Sequence, residues 1–529
     1  MKKLFLIAVL AMILGPLSEA GAQGLGAEPA GVSYRLDLTR PEAGEITVSM
    51  GIEATSQPLV LEMPDSYGNG LAVGLSSHVV EEQALDAAGQ ALPLRRDGNT
   101  WHIEHAGRVI FTYKIRVSGY ETGSAYLGSL AGKDGPWPFF PLLDADLAYL
   151  PGYAVLVHPR GMGGLQPTLQ VDLPDGWQTA LPWPDQPESM DDLLRNPIYA
   201  GDLVRRERDS LLLAIPAAAP AASSGGLDEY AAKAQSILEE TEGLLGGCDL
   251  TEGRKLLLAL LFRGEGDRME DLYLPSSPYF STVTLSAPSG NDPLSDATIE
   301  ATARGVASLL LDREMAVEPE AMWLREGAAW YLQDLIPFQA GMWGASLFWD
   351  LFNRRYEAYR SARRHYQGSL AQAGASDNDS EDANVVLLCG GASACATLDC
   401  ELRSLGPSAL DLPFFLRDLA GRGSAAHPLS NDDVRSLLEA LTGRDWSAFF
   451  RDHIQGAREI PASSFSSLNV TGPGAAAVPA EGPEASTSTS GWVLLAVAVV
   501  VVFLIPFVLE PYTMRPRRPG FLKKKLDDS

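Results

Sequence analysis

Met322-Trp323-Leu324-Arg325-Glu326-Gly327-Ala328-Ala329-Trp330-Tyr331 is the most informative run in this chain. Its apolar residues recur at helical spacing and predict a helix over 322–335. Among these ten residues Glu326 is the one carboxylate. Outward from this helix, a second is expected over 297–311, after a strand at 279–285, and a longer helical stretch follows over 347–366. Helices are also expected over 227–245, 252–262, 385–405, 413–422 and 432–441, the last with a Ser430-x-x-Asp433 capping box and a Gly443 stop. The segment 367–384, rich in Gly, Ser and Asp, reads as a mobile loop.

Before residue 200 the period changes from helical to two. Tyr34 to Leu38, Glu45 to Met50 and Leu59 to Met63 alternate, and Val109 to Val117 forms a longer run of the same kind. Trp101-His102-Ile103 and 168–173 add shorter runs, with turn residues such as Asp175-Gly176 between them. Such a series predicts an antiparallel β-sandwich over 23–215, joined through an Ala-, Pro- and Ser-rich segment to a mostly helical domain over 227–462. The fold class is α+β.

The ends of the chain carry addresses. Lys2 and Lys3, an apolar run to Leu14 and the small residues Ala20-Gly21-Ala22 read as a signal peptide, 1–22. Residues 463–490, rich in Ser, Ala, Pro, Gly and Thr, cannot bury enough surface to fold and read as a tether. The uncharged run 491–509 is long enough to cross about 30 Å of hydrocarbon. Arg515, Arg517, Arg518 and Lys523 to Lys525 follow in the tail 510–529, which fixes the tail in the cytoplasm and the rest outside. The expected location is thus the cell membrane, single-pass, with an extracytoplasmic N-terminal part. A length of 529 residues, 46% of them hydrophobic, supports several domains and excludes a disordered chain. A net charge of −26 argues against nucleic acid as partner.

The Met322–Tyr331 stretch resembles the W-L-x-E-G-x-A-x-Y segment of gluzincin metallopeptidases, in which the Glu is the third zinc ligand. In the compact form of that pattern the H-E-x-x-H window ends nineteen positions earlier, which here is Ala303-Arg304-Gly305-Val306-Ala307. Asn99-Thr100-Trp101-His102-Ile103, the following strand and Asp175-Gly176-Trp177 resemble the β-domain of the glycyl aminopeptidase family. Leu398 to Arg403, Leu441 to Phe450 and Gly456 to Pro461 resemble its closing helices. The resemblance implies a thermolysin-like catalytic domain with Glu326 at a former zinc-ligand position. It also aligns the family's Tyr-x-Lys-Gly-Ala motif with Leu388-Cys389-Gly390-Gly391-Ala392, placing Leu388 where the transition-state Tyr would stand.

The chemistry of the aligned residues departs from the family. A catalytic zinc takes three protein donors and an open position, with its two His one helical turn apart. Ala303 and Ala307 stand at the His positions and Arg304 at the general base. The chain has 7 His, and no two are spaced i, i+4. One carboxylate cannot retain zinc alone, so the expectation is a site without a metal and no cofactor. Arg304 and Glu326, on adjacent helices, are expected to form an ion pair, the other reading being that Arg304 faces solvent and Glu326 binds backbone. Trp323 and Trp330 suit either a cleft lining or the core.

Cys389, Cys395 and Cys400 read as buried thiols, with a disulfide, such as one to Cys248, or a metal site as other readings. Asn469-Val470-Thr471 matches a glycosylation sequon. Three functions fit these residues. One is a membrane-anchored pseudopeptidase that binds a peptide or protein partner through the former substrate cleft or its surface. The others are an active zinc hydrolase with non-standard ligands and a structural ectodomain of an envelope complex.

Overall fold

The computed structural model describes residues 31–468 except 55–57, 68–71, 122–139, 162–164, 220–221, 223–224, 247–253, 263–280, 288–291, 376–379, 406–409, 425 and 467. The expected signal peptide, the membrane span, the basic tail, the sequon, Cys248 and all but the first residues of the tether lie outside the described residues.

The first core is built by period-two strands. A five-stranded sheet runs in the order Pro167–Asp172, Val32–Asp37, Glu45–Ala54, Gly107–Arg116, Val79–Asp86. Its inward residues meet across the ladder in register, Ile46 opposite Ile115, Val48 opposite Tyr113, Met50 opposite Phe111 and Ile52 opposite Val109. Each of these is buried, and such cross-strand pairs are what fixes register when one face is covered. The sheet is not wholly antiparallel as expected: Val32–Asp37 and Pro167–Asp172 pair in parallel. Pro167–Asp172 reaches the sheet edge by a long crossover instead of a hairpin, so alternation along the strand carries no information about its direction. Two four-stranded sheets, one containing Leu59–Glu62 and Thr100–Ile103 and the other Leu147–Pro151 and Pro197–Gly201, complete this core.

A further four-stranded sheet crosses the expected boundary near residue 216. It orders Leu203–Glu207, Leu211–Pro216, Leu256–Phe262 and Thr282–Ala287, the last two pairings being parallel. Leu256–Phe262 corrects the helix expected over 252–262. Its sequence is apolar throughout because both faces are covered. Leu256, Leu258 and Leu260 point into the helical core, whereas Leu257, Ala259 and Leu261 point into the β-core. An unbroken apolar run of this length reads equally as a helix, since it has no period to betray it.

Five longer helices follow: α1, Leu227–Leu245; α2, Asp296–Glu314; α3, Met322–Gln339; α4, Ala345–Arg363; and α5, Glu381–Arg403. The Ser295 hydroxyl caps α2 by accepting from the Thr298 N–H at 3.3 Å, and the 432–441 expectation appears as Asn431–Thr442 with its Ser430–Asp433 capping box intact. The loop expected over 367–384 is partly helical, holding Leu370–Ala375 and the first residues of α5, which Ser380 caps. α5 contains one π-helical turn, Val386–Gly390. It is long and apolar enough for a membrane span, yet nearly all of its most apolar stretch is buried inside the fold. It is therefore a core helix by position, distinct from the expected span at 491–509.

Two glycine contacts set how closely α2, α3 and α5 approach. A Cβ at Gly305 would lie 2.4 Å from Val283 Cγ1, so α2 lies directly on the strand Thr282–Ala287. A Cβ at Gly327 would lie 2.2 Å from the carbonyl carbon of Gly391, so α3 and α5 touch backbone to backbone. Ala at either position would drive into neighbouring atoms. The first seats α2 on the sheet and the second seats α3 on α5.

Candidate functional site

The α2–α3 pair brings the aligned residues together. Ala303 and Ala307, one turn apart on α2, are both fully buried. On α3, Trp323, Glu326 and Trp330 share one face because they are spaced by three and four. The Glu326 side chain is only 4% exposed. Its Oε1 accepts from Arg325 Nη2 at 3.2 Å, and Arg325 Nε reaches back to Asp312 Oδ1 on α2 at 2.9 Å. Arg325 thus ties the two helices and neutralises Glu326.

Arg304 takes a different partner from the one expected. Its Cζ lies 4.5 Å from the centroid of the Trp330 ring, a cation–π contact between the helices. The pairing expected between Arg304 and Glu326 is corrected: Glu326 engages Arg325, which sits beside it and is braced by Asp312. Trp330, one turn further along α3, offers Arg304 its face instead. Burial pushes the Arg304 guanidinium down to about 10, Glu300 and Glu326 pulling it back up and Arg355 adding to the fall. At neutral pH it remains charged.

Trp323 does not line a cleft. It is fully buried, donates from Nε1 to Asn431 Oδ1 at 2.8 Å and meets the Phe450 ring edge-on at 6.2 Å. Trp330 is likewise buried, 4% exposed, with Arg304 over its ring. Leu388 lies in the π-turn of α5, 2% exposed, with no polar atom to offer a reacting group. Cys389, Cys395 and Cys400 are all buried, and burial raises the Cys389 thiol to about 12. That is an inert thiol rather than a nucleophile.

Sequence reading missed the charged group beneath Arg304. Arg355 on α4 donates from Nη1 to Glu300 Oε1 at 2.9 Å and pairs through Nη2 with Asp334, which has no exposure. The signal was present as spacing: Glu300 is one turn before Arg304, and Glu326, Trp330 and Asp334 follow one another every four residues on α3. Burial pushes the Asp334 carboxyl up to about 7, Arg355 drawing it down and Glu300 raising it further. One guanidinium serves two carboxylates, and the buried Asp334 holds its proton to a higher pH than a free carboxylate does.

A pH dependence follows. The folded form holds the Asp334 proton to higher pH than the unfolded chain does, so stability is greatest at low pH in this window and is lost as pH rises from about 4 towards 7. The urea midpoint of the wild type, compared with Asp334→Asn at pH 5 and pH 7.5, is expected to fall with pH relative to the variant. A relative rise would contradict the assignment.

Residues 33–202 match the family of Peptidase M61 N-terminal domains. No curated protein matches the chain. Among solved structures, an aminopeptidase N family protein from Idiomarina loihiensis is 16% identical, with 81% of this chain and 76% of that one covered at a TM-score of 0.66. An M1 zinc metallopeptidase mutant from Deinococcus radiodurans, bound to a Tyr-Ser-Ala substrate, is 15% identical, with 81% and 94% covered at a TM-score of 0.49. The chain has an aminopeptidase-like peptidase fold. The expectation of no cofactor is corrected by what these neighbours are: the Deinococcus radiodurans protein is itself an M1 zinc metallopeptidase.

The residues at the aligned position do not fit that ion. Ala303 and Ala307 have no donor atoms, Arg304 repels a cation, and Glu326 is already engaged by Arg325. Among the described residues no three His, Cys, Asp or Glu side chains are grouped to hold a metal.

Proposed function

We propose that this chain is a peptidase-fold binding protein that holds a peptide or protein partner at the α2–α3 face without cleaving it. The observation that carries this reading is Arg304, stacked on Trp330 at 4.5 Å where the resemblance calls for a general base. A hydrolase at this position needs a group that takes a proton from water near neutral pH. A guanidinium pushed down only to about 10 is still protonated there and cannot do so. Glu326, neutralised by Arg325, offers no free base in its place. The protein acts outside the cell on the end of its tether, with 491–509 crossing the membrane and the Arg- and Lys-rich tail inside. The acidic balance of −26 keeps it off polyanions.

Purified full-length chain is expected to hydrolyse short aminoacyl and peptide substrates no faster than Glu326→Gln. Zinc content near one per chain, together with hydrolysis that a chelator abolishes and zinc restores, would overturn this reading. It would establish instead an active hydrolase with ligands drawn from elsewhere in the chain, the reading that the zinc neighbours favour.

A further inference from the structure

Three arginines meet around the α2–α3 face, and their partners differ. Arg325 is held by Asp312 and Glu326. Arg355 is held by Glu300 and Asp334. Arg304 has the Trp330 ring under its face, but it donates no hydrogen bond and makes no ion pair among the described residues. A guanidinium carries five N–H donors in a rigid fork. Arg304 is only partly buried, so the edge of its fork stays open to a ligand arriving from solvent. The surrounding carboxylates are occupied: Glu300 and Asp334 share Arg355, and Glu326 faces Arg325. Stacking on Trp330 fixes the plane of the fork and leaves its edge for a planar, two-oxygen acceptor.

We propose that Arg304 anchors the carboxylate of a bound peptide, Trp330 supporting the guanidinium face while its edge donates to the two carboxylate oxygens. This rests on the peptide-binding reading above and gives it a ligand class. Phosphate presents similar oxygens, and a side-chain carboxylate presents the same group as a chain terminus, so the test separates these sources.

Calorimetric titration of the full-length chain with Ala-Ala-Ala, its C-terminal amide and the amide of Ala-Glu-Ala measures the preference directly. The free acid is expected to bind about tenfold tighter than its amide, a difference of about 1.4 kcal/mol. Arg304→Gln is expected to bring that ratio to about one, while Arg304→Lys, which keeps the charge but not the fork, retains part of it. Thermal melts confirm that both variants fold. A merely structural Arg304 would shift the melts and leave the acid-to-amide ratio unchanged, which would overturn the anchor. Preference for the Ala-Glu-Ala amide over the free acid also supports a carboxylate anchor, placing it on a side chain. Equal binding of all three peptides, or a preference that survives in Arg304→Gln, overturns the anchor and leaves peptide binding standing. Inorganic phosphate competing better than the free acid overturns the carboxylate assignment. Absence of binding by every peptide at millimolar concentration overturns both the anchor and the peptide-binding reading.

Discussion

Replacing Gly327 by Ala is expected to destabilise the helical half of the protein by about 3 kcal/mol, the upper part of the range for overpacking a close contact. The added Cβ would lie 2.2 Å from the Gly391 carbonyl carbon and 2.5 Å from its Cα. Neither neighbour is a side chain that can rotate away. Both belong to the backbone of α5, so relief requires α3 and α5 to separate. Contact in the reverse direction is equally close, because a Cβ at Gly391 would lie 2.6 Å from the Trp323 carbonyl oxygen. Separation would also shift Glu326, which is next in the chain to Gly327. The control has the opposite sign: Gly243, near the end of α1, has nothing within 4 Å of an added Cβ. Ala there is expected to stabilise by about 0.5 kcal/mol through reduced chain entropy. Urea midpoints of the two variants decide it, and a neutral Gly327→Ala would show that α3 and α5 do not touch in this way.

Arg355→Met is expected to cost about 3–5 kcal/mol, the loss found when one partner is removed from a buried ion pair. Arg355 is the counter-charge to Asp334, which has no exposure, and to Glu300, whose side chain is 12% exposed. Methionine fills much of the volume, so the loss is electrostatic more than steric. The cost should be conditional on the acids. Adding Asp334→Asn to Arg355→Met is expected to recover a substantial part of it, because the uncompensated buried carboxylate is gone. Strictly additive effects of the two substitutions in denaturation would remove the shared network from the account.

Much of this protein was legible along the chain. Period-two alternation placed the strands around Val48, Tyr113 and Trp101, and helical spacing placed α1 to α4, since one-sided burial writes its period into the sequence. The capping box at Ser430 and Asp433 was equally local, being made by residues three apart. Leu256–Phe262 was not legible, because a strand covered on both faces loses that period.

The site divided along the same line. The chain itself placed Ala303 and Ala307 one turn apart on a helix with Arg304 beside the first, and put Glu326 and Trp330 on one face of the next, for these are intervals within single elements. Which side chains pair across elements is settled by how the helices cross. Whether Arg304 meets Glu326 or Trp330, and whether Arg355 serves Glu300 and Asp334, depends on the crossing of α2, α3 and α4. That crossing is governed by side-chain volumes from distant parts of the chain, such as Val283 beneath Gly305 and Gly391 against Gly327. Local spacing fixes a residue's direction from its own axis, while its partner is chosen by packing between axes, and the energy of that packing is a property of the whole core.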